Sequence, residues 1–122
     1  MKKLKHVLVA EDDTFLAGLI KAMLSEHKVR VSVVANGKEA IDVITQDQPD
    51  LLLLDLLMPE VDGFGVLQHL ANNKLRLPVV VITNLGDKPT RDRCKKLGVS
   101  AFIVKSDIDD DSLWPVIEGY LK

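Results

Sequence analysis

The chain has 122 residues, which bounds it to a single domain, 1–122, and 47% of them are hydrophobic, enough to build a sizeable core. Sixteen basic residues against eighteen acidic ones leave a net charge of −2, without the cationic excess that direct nucleic-acid binding requires. No apolar run approaches membrane-spanning length and the amino end lacks a signal peptide, so no membrane insertion is expected; the single cysteine, Cys94, excludes an internal disulfide and fits a reducing cytoplasm.

The first apolar run, Val7-Leu8-Val9-Ala10, reads as a strand buried on both faces and closes at Glu11 and Asp12. Asp13 suits the amino cap of the next segment, where its charge meets the helix dipole. That segment carries Phe15, Leu16, Leu19, Ile20, Met23 and Leu24 at the spacing of an amphipathic helix. Asn36-Gly37 punctuates the chain before a helix over 38–46 with Ala40, Ile41 and Ile44 on its apolar stripe. After Gln48-Pro49-Asp50 the run Leu51 to Leu54 closes at Asp55. Met58-Pro59 reads as a rigid loop entry and Asp62-Gly63 as a turn before a helix over 64–71.

Asn72-Asn73 ends that helix, and Val79 to Ile82 closes at Thr83. The helix expected over 89–97 is poor in apolar residues, with little beyond Cys94 and Leu97, and crowded by Lys88, Arg91, Asp92, Arg93, Lys95 and Lys96. It reads as a shallowly packed, solvated helix or, more sharply, as a loosely held docking face. Phe102-Ile103-Val104 then closes at Lys105, and a last helix over 113–121 carries Leu113, Val116, Ile117, Tyr120 and Leu121.

Strand and helix alternate five times, which argues for a parallel α/β sheet with right-handed crossovers and helices on both faces. The carboxyl ends of its strands open onto one edge, where such sheets bind ligands. Glu11, Asp12, Asp55, Thr83 and Lys105 therefore converge on one acidic pocket with one lysine. Each has an ordinary structural explanation alone; together, at four strand ends, they do not. His6, His27 and His69 share no spacing with one another or with the acids, and read as surface or strand-edge histidines.

The ordered set Val-Leu-Val-Ala-Glu-Asp-Asp, then Leu-Leu-Leu-Leu-Asp-Leu-Leu-Met-Pro-Glu-Val-Asp-Gly, then Val-Ile-Thr, then Ala-Phe-Ile-Val-Lys resembles the receiver domain of bacterial two-component response regulators over essentially the whole chain. The resemblance implies a flavodoxin-like fold, a doubly wound five-stranded parallel sheet of order 2-1-3-4-5. It makes Glu11 and Asp12 the acidic pair, Asp55 the phosphoacceptor, Thr83 the switch hydroxyl, Phe102 the switch aromatic and Lys105 the phosphate-binding cation, although Phe102 reads equally well as an ordinary core aromatic. The partners implied are a sensor histidine kinase or phosphotransfer protein upstream and a protein target meeting the fourth helix, fifth strand and fifth helix. The domain signals; it is not an enzyme acting on other molecules.

Physics supplies a reason for each residue. Two negative charges must meet when a carboxylate attacks an anionic phosphoryl donor, and a hard divalent cation, Mg2+, removes that obstacle. Asp12 and Asp55 are expected as direct ligands, Glu11 through water, and the backbone carbonyl of Leu57 as a further oxygen. A flavin-binding relative would need a phosphate loop where Glu11-Asp12-Asp13 stands, and a haloacid-dehalogenase-type phosphatase would need an acid at Leu57. A receiver-like interaction module that never sees phosphate is the remaining alternative.

Ser106 stands where the family commonly has proline, Asn84 where a very small residue is usual, and Leu57 is apolar. A trans Lys105-Ser106 bond follows, because cis before serine costs roughly 2.5–4 kcal/mol. A less rigidly placed lysine is expected with it. A stand-alone regulator is the first expectation for the protein as a whole, and a receiver excised from a longer regulator or hybrid kinase the second.

Overall fold

The computed structural model describes residues 4–121; the cationic amino end at 1–3 and the last residue of the expected domain lie outside them. The elements are β1 (Lys5–Ala10), α1 (Thr14–Ser25), β2 (Val29–Val34), α2 (Gly37–Gln46), β3 (Leu51–Asp55), α3 (Gly63–Asn72), β4 (Val79–Thr83), α4 (Lys88–Lys96), β5 (Ala101–Val104), a 3-10 turn (Lys105–Asp107) and α5 (Asp110–Tyr120). All strand pairs are parallel in the order β2-β1-β3-β4-β5, the flavodoxin-like doubly wound arrangement.

Successive side chains of a strand point to opposite faces, so each central strand feeds two cores. Leu8, Ala10, Leu52, Leu54, Val79 and Val81 pack against α2, α3 and α4. Val7, Val9, Leu51, Leu53, Val80 and Ile82 pack against α1 and α5. Truncating one of these leucines to alanine would cost about 2–5 kcal/mol. The apolar runs are continuous because β1, β3 and β4 are covered on both faces.

The structure corrects several expectations. In α1 the buried stripe is Ala17, Ile20 and Leu24, flanked by Leu16 and Met23, whereas Phe15 and Leu19 lie off it and face solvent, 76% and 45% exposed. Helix α5 starts three residues before its first apolar residue, because Asp109 and Ser112 form a capping box and Asp110-Asp111 suit the positive end of the dipole. Asp62 caps α3, accepting from the Gly65 amide at 2.8 Å, rather than forming a simple turn. His6 is not a surface histidine: it is buried in β1, with Nε2 2.8 Å from Ser32 Oγ and its amide donating to Asp50 Oδ2 at 2.7 Å. His27 stacks face to face on Trp114, ring centroids 3.8 Å apart, tying the end of α1 to α5.

Candidate functional site

Parallel register gathers the polar strand ends. Ala10 pairs with Leu54, so Glu11 follows beside Asp55; Asp55 pairs with Ile82, and Thr83 with Val104, which sets Thr83 one step and Lys105 two steps further along the same edge. One carboxylate oxygen from each of Glu11, Asp12 and Asp55 lies within 4.8 Å of the others. Glu11 and Asp55 are buried and Asp12 is exposed at the mouth.

Glu11 Oε2 accepts from the Asp13 amide at 3.1 Å, and Oε1 lies 2.7 Å from Lys105 Nζ. Asp55 Oδ2 lies 3.2 Å from the same ammonium, and Oδ1 accepts a long 3.4 Å bond from the Leu57 amide. One ammonium thus bridges the two buried oxygens, Glu11 Oε1 and Asp55 Oδ2, as an ion pair. Burial pushes the Glu11 carboxyl up to about 7, opposed by Lys105 and the Asp13 amide and reinforced by Asp55. Burial alone would lower the Lys105 ammonium, but the facing Glu11 and Asp55 outweigh it and hold it above its ordinary value.

Three carboxylates gathered within 4.8 Å, two of them buried and sharing a single ammonium, form an oxygen-donor set that suits a hard divalent cation of the magnesium kind. Asp13 is outside this set: its Oδ1 is taken by the Phe15 and Leu16 amides at 3.0 and 3.1 Å, the helix-cap role expected. Thr83 is buried, and its Oγ1 accepts from the Leu85 amide at 3.1 Å, with no hydrogen bond donated by its hydroxyl among the described residues. Leu57 turns its side chain outward, 60% exposed, with its peptide against Asp55.

Phe102 is not part of the acidic cluster. It sits half-buried in β5 with Arg91 Cζ 4.7 Å over its ring. No described peptide bond is cis, Lys105-Ser106 included, and the 3-10 turn that follows still lets Lys105 reach both buried acids.

Two contributors were not legible beforehand. A Cβ on Gly63 would stand 2.5 Å from the Asp55 carbonyl oxygen and 2.7 Å from Leu56 Cα, so α3 docks on the backbone of the acid itself. The Gly63 amide fastens this by donating to the Leu56 carbonyl at 2.9 Å. The other is Arg91. Both depend on contacts distant in sequence, and only the Asp62-Gly63 pair left any local signal.

A buried acid pair with a lysine and a hydroxyl, at the carboxyl edge of a 2-1-3-4-5 sheet, defines a class of signalling domain. The response regulator receiver domain family model matches residues 7–117, and the chain belongs to that family: it is a receiver domain of two-component response regulators. Among curated relatives it is 33% identical over 101 residues to the probable transcriptional regulator ycf27 of Cyanophora paradoxa, covering 83% of this chain and 42% of that protein. The chain thus spans about two fifths of the length of the curated relatives it matches. Among solved structures, the receiver of a putative LuxO repressor protein from Vibrio parahaemolyticus superposes with a TM-score of 0.92 at 28% identity, over 98% of this chain and 91% of that one. The BeF3-activated receiver of Klebsiella pneumoniae RstA gives 0.89 at 29% identity, over 97% and 99%. No helix among the described residues is long and apolar enough to cross a membrane.

Proposed function

We propose that this receiver, with the whole chain 1–122 forming the domain, takes a phosphoryl group onto Asp55 from a phosphohistidine on a sensor histidine kinase or phosphotransfer protein. The observation that carries this is the buried Asp55 carboxylate, 3.2 Å from the Lys105 ammonium and gathered with Glu11 and Asp12 at the carboxyl edge of the sheet. Asp55 attacks phosphorus, an O–P bond forms as the donor's N–P bond breaks, and the histidine leaves with the electron pair. Mg2+, held by Asp12 and Asp55, by Glu11 through water and by the Leu57 carbonyl, would supply the positive charge that lets the two anions meet.

The chain's own groups do the rest. Lys105 balances charge on one phosphoryl oxygen, and Thr83 donates its free O–H to another, so catalysis is chiefly positioning and electrostatics. The same residues would serve hydrolysis of the aspartyl phosphate, in which water attacks phosphorus, the Asp55 O–P bond breaks and inorganic phosphate leaves. Thr83 and Phe102 would then carry the change to a downstream protein at the α4, β5 and α5 surface, without direct nucleic-acid contact, in the cytoplasm. Incubation with a small acyl phosphate and magnesium, read by intact mass, tests the reading. One phosphoryl adduct on wild type and none on Asp55→Asn is expected; equal labelling of both overturns it.

A further inference from the structure

Helix α4 is attached thinly. Its one buried residue is Cys94, and two arginine-aromatic contacts flank it: Arg93 Cζ lies 3.8 Å over the ring of Phe64 in α3, and Arg91 Cζ lies over Phe102 in β5. Arg91 also reaches the loop that leaves β4, donating from Nε to the Gly86 carbonyl at 3.1 Å. That loop is itself tied to Thr83, whose Oγ1 accepts from Leu85, while the Gly86 amide donates to Asn84. Gly86 also abuts β5, since a Cβ there would stand 3.4 Å from Val104 Cγ2.

A continuous run of contacts therefore leads from the Thr83 hydroxyl, through residues 84–86, to Arg91 and on to Phe102. Phe102 packs one side against the core under α4, and with no hydroxyl to hold itself in either of two positions its only polar partner among the described residues is the cation stacked over its ring. Beside the ring, between α4 and β5, lies a cavity of about 180 Å³ lined by Arg91, Cys94, Lys95, Val99, Ala101 and Phe102. Only a planar guanidinium both stacks on a ring and donates from Nε, so lysine could do half of this work.

We propose that Arg91 is a positioning residue, a latch that holds Phe102 while Gly86 stays in place and so makes the ring's position depend on the Thr83 hydroxyl. The trigger rests on the reading of Asp55 as phosphoacceptor; the latch is a property of the fold itself. When Thr83 turns its oxygen toward a group on Asp55, the Leu85 amide loses its acceptor, the loop shifts, and Arg91 loses Gly86. Phe102 is then released into the adjoining cavity. The coupling element is thus a loop with two hydrogen-bonding arrangements, which gives a transmission claim physical content.

The test is NMR of the full chain, following the Phe102 and Phe64 ring signals and the Arg91 Nε–H, with magnesium and beryllofluoride as the phosphoryl mimic. In metal-free wild type the Arg91 Nε–H is expected upfield, under the ring, and it is lost on adding beryllofluoride. Arg91→Gln moves the Phe102 signals without any ligand, toward those of beryllofluoride-bound wild type, while Phe64 stays. The expected rise in the released population is up to about tenfold, equivalent to about 1.4 kcal/mol. Arg91→Lys restores the metal-free ring position but not its response, and Arg93→Gln moves Phe64 and leaves Phe102. The proposal is overturned if Phe102 in metal-free Arg91→Gln coincides with wild type, or if the Arg91 Nε–H ignores beryllofluoride while the Asp55 amide responds. If the Asp55 amide does not respond either, the phosphoacceptor reading fails, and the metal-free comparison still decides the latch.

Discussion

Replacing Asp12 by asparagine should stabilise the metal-free protein and remove its response to magnesium. Asp12 is one of three carboxylates gathered within 4.8 Å, and Lys105 pairs with the other two. Two unit charges at that distance repel by about 3.5 kcal/mol at an effective dielectric constant near 20, and by about 0.9 kcal/mol in bulk water. Asp12 is exposed and Glu11 is only partly ionised near neutrality, so the lower part of that range applies and relief of about 1–2 kcal/mol is expected. In a domain of this size each kcal/mol moves the melting temperature by roughly 4 °C. With magnesium at tenfold its Kd the wild type gains about 1.4 kcal/mol, and Asp12→Asn gains little. Thermal melts followed by circular dichroism, in chelator and across a magnesium titration, should show the two curves converge or cross. A variant less stable than wild type in chelator, or equally stabilised by magnesium, would refute the reasoning.

Asp13→Ala should cost about 0.5–2 kcal/mol through loss of the α1 cap, seen as a lower melting temperature, while the magnesium response stays intact. Gly63→Ala forces a Cβ against the backbone of Asp55 and Leu56, costing about 1–3 kcal/mol and slowing phosphorylation in the same preparation. Gly18→Ala and Gly119→Ala meet nothing within 4 Å in α1 and α5 and should each stabilise by about 0.5–1 kcal/mol in urea melts. Burial, then Arg30, lowers the His6 pKa despite Asp47 and Asp50, so the folded state binds this proton less readily than the unfolded one. Its contribution to stability is complete above the ordinary value of 6.5 and is lost as pH falls below it, and His6→Gln should flatten urea-melt stability across that window.

What was legible in the amino-acid sequence follows physical lines. Val7 to Ala10, Leu51 to Leu54 and Val79 to Ile82 are buried on both faces, so burial wrote a continuous signal there. The acids, hydroxyl and lysine were legible because each stands where an apolar run stops, the half-buried run of β5 included. Edge strand β2 is half-buried and interrupted by Arg30 and Ser32, and carries a weaker pattern. Phe15 misleads because an apolar residue counts toward helical periodicity even when the helix turns it to water. His6 was misread because its burial depends on Ser32 and Asp50, which only the folded sheet brings near. Arg91 and Arg93 read as part of a solvated charge run, and their aromatic partners are in other elements.

The measurement that bears most directly on the central claim is the location of the phosphoryl group after reaction with a small acyl phosphate. Borohydride reduction of the product converts an acyl phosphate to the corresponding alcohol and marks the residue permanently for peptide mapping. A mark on Asp55 alone, dependent on magnesium and absent in chelator, is the result predicted. A mark on Asp12, Asp13 or any other residue, or labelling of Asp55 to the same extent in chelator, would contradict it.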